Sequence, residues 1–406
     1  MRTLAPDALA PPEPPQDHTD PSEQQLLSSV AEVADLLTAE APDSDARGRL
    51  SARSVEALRS RGLWRLRLCR ELGGLELPIT SQIRVLAALA AEDTASAWCS
   101  MVANSSVAVL GATMPDAAVR RVFADGVPAC SIVAAPGGKA VRVEGGHRLT
   151  GTWRLASGIH HAQWVHAAAH IDGDPSRLLP FAIPAHEVEV LDSWHVIGLA
   201  GTGSNDFRLV DHFLPDELAG RADNPYGQLR GSRRYDLIGF DRIEAYEHLA
   251  FALGVTRRAL AELRMHLAAL PPGKHTGDRE VVQSQLGLAV LQMQGIEAHA
   301  MTVYGRIDAA AAGTRQAWLD QDVHVPRALA AHATRTALDA THLAFQRAGA
   351  TALHGPNILE KLLRDMSVAA THVMVDDVAT ARYGQHLLET ADLAGERPWR
   401  TESHAR

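Results

Sequence analysis

Val141-Arg142-Val143-Glu144-Gly145-Gly146-His147-Arg148-Leu149-Thr150 alternates on either side of a glycine pair. Alternation of period two sends successive side chains to opposite faces, and glycine supplies the positive φ of a tight turn, so the stretch predicts a β-hairpin with its turn at Gly145-Gly146. Trp164 to Ile171 and Leu178 to Ile183 flank an Asp-Gly-Asp turn. Val188 to Leu199 is broken by Gly198, and Phe207 to Leu214 alternates before Pro215. Short strands at such regular spacing predict a compact antiparallel β-domain over residues 127–216.

Outward from this domain the period changes to that of helices. Upstream, Leu26, Val30, Val33, Leu36 and Leu37 recur at three- and four-residue intervals, and Val55, Leu58, Leu63 and Leu66 repeat the pattern. Gly73-Gly74 and Pro78 mark a turn, after which Ile83 to Leu110 reads as one or two alanine-rich helices. Residues 23–126 therefore form an N-terminal all-α domain. Downstream, Leu249 to Leu270, Val281 to Ala311, Arg327 to Gly349 and Asn357 to Leu388 are long amphipathic runs. They are separated at Pro271-Pro272-Gly273, at Gly313 with Pro326, and at Gly355-Pro356. Four such runs predict a C-terminal four-helix bundle within residues 217–406. The fold class is α+β in the order α, β, α. Residues 1–22, rich in proline and acids, bury too little apolar surface to offset their ordering entropy and are expected to be a disordered tail.

The chain has 406 residues, 39 Lys+Arg and 48 Asp+Glu, for a formal charge of −9. That balance offers no basic field for a phosphate backbone and argues against a nucleic-acid partner. Cys69, Cys99 and Cys130 are odd in number and widely spaced, which fits neither a disulfide framework nor a zinc site. No long uninterrupted apolar run is present, so neither a membrane span nor a signal peptide is expected, and a cytoplasmic location is. There is no GxxxxGK[ST] loop, GxSxG elbow or HExxH pair, and Gly201-Thr202-Gly203 lacks the third glycine of a dinucleotide site. His160, His161, His166 and His170 have no carboxylate at helical spacing, and no metal is expected.

Three segments in this α–β–α order carry a more specific signal. They are Gly151-Thr-Trp153-Arg-Leu-Ala-Ser157-Gly158-Ile-His-His-Ala-Gln-Trp164, then Asp192-Ser-Trp194-His-Val-Ile-Gly198-Leu-Ala-Gly201-Thr-Gly-Ser204 with Asp211-His-Phe-Leu-Pro215, and finally Arg364-Asp365 followed by His372. Together they resemble the acyl-CoA dehydrogenase superfamily over roughly Glu23 to Leu388. Relatives that abstract an α-proton commonly carry a glutamate base after the Arg-Asp pair; Val373 stands at that place, beside His372. Ser367-Val-Ala-Ala-Thr-His372 instead resembles the flavin-dependent monooxygenase branch, the oxygenase components of two-component hydroxylases. Glu262 and Glu244 remain the alternatives for a dehydrogenase base on an earlier helix.

The resemblance implies an enzyme that takes reduced FMN or FAD from a separate NAD(P)H:flavin reductase, adds O2 at flavin C4a and hydroxylates a small organic substrate, aromatic or polyketide. N-hydroxylation of an amine or amino sugar, S-oxidation and an FAD-dependent dehydrogenase are the other readings of the same fold. It further implies catalytic roles for Ser157, against flavin N5, and for His372. The imidazole is expected to have a near-neutral pKa and to lie on a helix with Asp365 and Asp376 on nearly its own face. Flavin contacts are implied for Ser131, Pro136, Gly137, Trp153, Gly158, Thr202 and Ser204, and for Arg264 and Gln283 of a neighbouring subunit, with Arg279 beside them. Trp98 and Asn104 are implied to line the substrate cavity, and the assembly to be a homotetramer.

Overall fold

The computed structural model describes residues 22–232, 234, 237, 239, 244–269, 279–313 and 323–390. The expected tail, Ser22 apart, and the Pro271-Pro272-Gly273 break lie outside the described residues. The chain divides into two compact units, residues 1–236 and 237–406.

Among its described residues the first unit opens with five helices, α1 (Glu23–Arg47), α2 (Ala52–Ser60), α3 (Ile79–Glu92), α4 (Thr94–Thr113) and α5 (Asp116–Val122). Helix α1 begins in a capping box: Ser22 Oγ accepts from Gln25 N at 3.2 Å and the Gln25 amide oxygen accepts from Ser22 N at 2.6 Å. Helices α3 and α4 are separate because Asp93 leaves helical geometry at φ −149° and its carboxylate accepts from Ser96 N at 2.9 Å, starting a new helix. Helix α4 is long and apolar enough to cross a membrane by length and composition, yet 94% of that window is buried. A helix apolar on all sides belongs in a core, and α4 is the core helix here.

The β-part has seven strands: β1 (Cys130–Val133), β2 (Gly138–Val143), β3 (Gly146–Ala156), β4 (Trp164–Ile171), β5 (Asp174–Pro184), β6 (Glu189–Val190) and β7 (Asn205–Pro215). They form one sheet in which β4 carries β5 on one edge and, in turn along the other, β1 and then β2; β3, β7 and β6 complete it. The sheet is mixed rather than purely antiparallel, because β1 and β2 both run parallel to β4. The hairpin forms one residue earlier than the glycine pair suggests: Val143 pairs with Gly146, so Glu144 and Gly145 (φ +73°) make the turn. Gly146 is instead a strand residue whose missing side chain admits β7, since a Cβ there would lie 2.2 Å from Leu214 O. The core centres on Trp153, which stacks on Phe207 at 5.2 Å, meets Phe181 edge-on at 5.5 Å and donates from Nε1 to Ala168 O at 2.7 Å.

Among its described residues the second unit holds α6 (Ala245–Ala268), α7 (Glu280–Ala311), α8 (Val325–Ala348), α9 (Ile358–Ala369) and α10 (Asp377–Glu389). The run read as one helix from Asn357 to Leu388 is thus two, parted by a 3-10 turn at Val373–Val375. Side chains competing for the backbone cause the break. His372 Nδ1 accepts from Met374 N at 3.2 Å, and Asp376 accepts from Ala379 N at 3.3 Å to cap α10.

Candidate active site

In the first unit, the bulged end of β3 gathers six of the expected residues. Ser157 follows Leu155, whose φ of +63° is unusual for a branched side chain and whose N–H donates to Asp206 Oδ1 at 3.0 Å. Such strain persists only where surrounding contacts enforce it, and it concentrates at functional positions. Trp98 Nε1 on α4 donates to Ser157 Oγ at 3.2 Å, and Ser131 Oγ on β1 donates to Ser157 O at 2.9 Å. Ser157 Oγ lies 2.6 Å from Ser204 Oγ, which lies 2.8 Å from Thr202 Oγ1. Gly158 adopts φ +71°, donates to Thr202 O at 2.9 Å, and has open space where a Cβ would stand. Ala134 and Ala135, just before Pro136 and Gly137, are exposed, as is Leu155. The Ser157 turn therefore presents an open face with backbone groups at its rim, which suits a flat ring system.

Three placements differ from the expectation. Trp153 is a core residue with no exposure, its indole N–H already spent on Ala168 O, so it offers nothing to a ligand. Asn104 is likewise fully buried: its oxygen accepts from Leu66 N at 2.7 Å and its two N–H groups donate to Leu63 O and Ser100 O. That use of the whole amide makes it a clasp between α4 and the segment after α2. Thr202 and Ser204 spend their hydroxyls on Ser157 and Leu199 rather than facing outward. A cleft of about 570 Å³ in the same unit is lined by Arg47, Arg49, His160 and Trp194 among others, and does not include Ser157.

In the second unit, His372 sits in the break between α9 and α10. The helical stripe of Asp365, His372 and Asp376 does not form. Asp365 is buried with Lys361 Nζ at 2.8 Å, and Asp376 caps α10, 3.6 Å from Arg327. The imidazole packs instead on His248 of α6, ring centroids 4.3 Å apart, a contact no sequence spacing announces because it joins distant helices. Arg327 of α8 donates to Val373 O at 2.8 Å, while its buried Nε has no hydrogen-bond partner among the described residues. Burial, with the Arg327 guanidinium adding to it, pushes His372 down to about 4, so the near-neutral expectation is corrected. His248 is also held well below its ordinary value, by burial first and then by His372 and Arg327. Because Met374 N–H occupies Nδ1, the neutral His372 ring carries its proton on Nε2. Arg264, Arg279 and Gln283 are exposed on this unit, and Glu262 pairs with Arg258 at 2.7 Å.

Neutral buried imidazoles make an acid-sensitive fold. His161, His166 and His372 are each pushed to about 4 by burial, against about 6.5 in an unfolded chain. Between those values the unfolded chain binds more protons, so stability is complete above pH ~6.5 and falls as pH drops toward ~4. Melting temperatures are expected to fall steadily from pH 7 to pH 5; a flat profile would show these rings to be more hydrated than the structure has them.

Residues 246–377 match the family described as acyl-CoA dehydrogenase, C-terminal domain. The chain is 24% identical over 391 residues to p-hydroxyphenylacetate 3-hydroxylase, oxygenase component, of Acinetobacter baumannii, covering 91% of this chain and 90% of that one. It is 26% identical over 343 residues to a pigment production hydroxylase of a Rhodococcus species, covering 79% and 85%. Among solved structures, XiaF from Streptomyces sp. in complex with FADH2 and glycerol superimposes with a TM-score of 0.83 at 25% identity, over 91% of this chain and 96% of that one. Over residues 246–377 the chain is similar to the acyl-CoA dehydrogenase C-terminal domain, and over most of its length to the oxygenase components of two-component flavin-dependent hydroxylases.

Proposed function

We propose that this monooxygenase hydroxylates a small aromatic substrate, using O2 and reduced FMN or FAD that a separate NAD(P)H:flavin reductase supplies. The observation that carries the reading is His372. Where α-proton-abstracting relatives hold a carboxylate, this chain has a buried, neutral imidazole carrying an N–H, with the exposed Val373 beside it. A group of that kind does not abstract a proton from an acyl thioester. It donates a hydrogen bond to an oxygen that carries negative charge, which is what a bound phenolate requires: its proton passes to solvent, the Nε2–H steadies the oxygen, and the ring is activated for hydroxylation. C-hydroxylation is favoured over N- or S-oxygenation on the same ground, since an amine or sulfide has no such oxygen.

The bound cofactor would supply the two electrons that reduce O2. Ser157, Gly158 and the 134–137 loop are the residues that would hold its ring, and Trp98 orients Ser157. Arg264 and Gln283 are proposed to complete a neighbouring subunit's flavin site in a cytoplasmic homotetramer; Val281, Leu288 and Leu291 leave an apolar stripe exposed on α7 that such an assembly would bury. Sedimentation is expected to give a tetramer at micromolar concentration, and a fully active monomer would contradict the assembly.

The test of the function is turnover with chemically reduced flavin in the absence of any reductase. Hydroxylated phenol is the expected product; tightly bound FAD that an acyl-CoA bleaches would establish the dehydrogenase instead. Within this reading, Ser157→Ala is expected to divert O2 into hydrogen peroxide, raising its release about three- to tenfold for the loss of one hydrogen bond. Unchanged coupling would remove Ser157 from the flavin site.

A further inference from the structure

Around Ser157 the hydroxyl hydrogens can be assigned by counting. Thr202 Oγ1 donates to Leu199 O at 2.8 Å, so its single hydrogen is spent. The 2.8 Å contact between Ser204 Oγ and Thr202 Oγ1 must then use the Ser204 hydrogen, and the 2.6 Å contact between Ser157 Oγ and Ser204 Oγ must use that of Ser157. Trp98 Nε1–H takes one of the two lone pairs on Ser157 Oγ, at 3.2 Å. What Ser157 has left is one lone pair. The three hydroxyl residues are buried, Ser157 being 7% exposed, so bulk water does not scramble the order.

This has a consequence for flavin redox state, because N5 of reduced flavin carries a hydrogen and N5 of oxidised flavin carries a bare lone pair. We propose that Ser204, acting through Ser157, sets the redox preference of cofactor binding: it holds Ser157 as a hydrogen-bond acceptor that pairs with N5–H of reduced flavin and opposes N5 of the oxidised form. The proposal rests on the reading that Ser157 adjoins N5. Turning the Ser157 hydrogen outward to satisfy oxidised flavin would leave two oxygen atoms 2.6 Å apart with no proton between them, because Ser204 donates to Thr202. A diffusing cofactor that must leave once oxidised is served by that conflict. Ser204 touches no ligand and is a positioning residue.

The test is anaerobic titration of reduced FMN and FAD, and aerobic titration of the oxidised forms, against wild type, Ser204→Ala, Thr202→Val and Ser157→Ala. Ser204→Ala frees the Ser157 hydrogen, and Thr202→Val lets Ser204 turn its own hydrogen to Ser157, so both are expected to bind oxidised flavin about two- to tenfold more tightly, the span of one hydrogen bond. Reduced-flavin affinity is expected to stay within about threefold in both. Ser157→Ala is expected to weaken reduced flavin and to narrow the preference. Melting curves confirm folding, and Thr202→Val stands if Ser204→Ala is unfolded. If Ser157→Ala weakens reduced flavin while neither other variant tightens oxidised flavin, Ser157 adjoins N5 and the Ser204 proposal is overturned. If all three variants leave both affinities unchanged, the placement of Ser157 falls and the proposal with it.

Discussion

His372→Ala is expected to lower product formation by about 10²–10³-fold near neutral pH while changing reduced-flavin affinity less than about threefold. The magnitude is that of removing one preorganised donor to a developing oxyanion. The asymmetry follows because the donor is needed as negative charge grows on the substrate, so its loss appears in turnover rather than in ground-state binding. Met374 N–H fixes the tautomer, His248 fixes the ring plane at 4.3 Å, and burial with Arg327 keeps the ring uncharged. With a pKa of about 4, the wild-type rate is expected to show no limb from His372 between pH 6 and pH 8. In His372→Ala the loss is expected to shrink at high pH, where a phenol ionises unaided. Single-turnover product yields across pH measure both effects. A variant within about threefold of wild type throughout would remove His372 from the chemistry.

Trp153→Ala is expected to cost about 3–5 kcal/mol of stability, the range for truncating a large buried aromatic side chain. The ring is fully buried between Phe207 and Phe181, and its loss strands Ala168 O inside the sheet without its donor. Gly137 lies so close that a Cβ on it would stand 2.7 Å from the indole, so removing the ring leaves strand backbone facing the void. Urea unfolding followed by the signal of the first unit gives the number. A cost under about 1 kcal/mol would mean that the sheet core is looser than its register implies.

The order of helices and strands was legible because period and punctuation are local. Alternation around the glycine pair announced the hairpin, and three- and four-residue spacing announced the helices. The exact turn was not, because Gly146 is required by the approach of Leu214 O, seen only once β7 is in place. The parallel pairing of β1 and β2 with β4 was hidden for the same reason, since strand direction across a sheet is not encoded in alternation. Among the site residues, the segment around Ser157 was readable as a motif, and the structure adds the direction of its hydrogen bonds. The helix break at His372 was missed because two capping-competent side chains, His372 and Asp376, were read only for their charge and helical spacing. His248 and Arg327 carried no motif at all, and only the packing of α6 and α8 against the break brings them to His372.

In the proposed reaction one oxygen atom of O2 enters an aromatic substrate at the expense of reduced flavin. The direct measurement is to form the complex with chemically reduced FMN or FAD without oxygen, add p-hydroxyphenylacetate or another simple phenol, and admit 18O2. The account predicts a phenolic product carrying one labelled oxygen atom, formed in proportion to the flavin supplied. Product oxygen derived from water, or complete conversion of the reduced flavin to oxidised flavin and hydrogen peroxide with every phenol tried while an acyl-CoA is dehydrogenated, would contradict it.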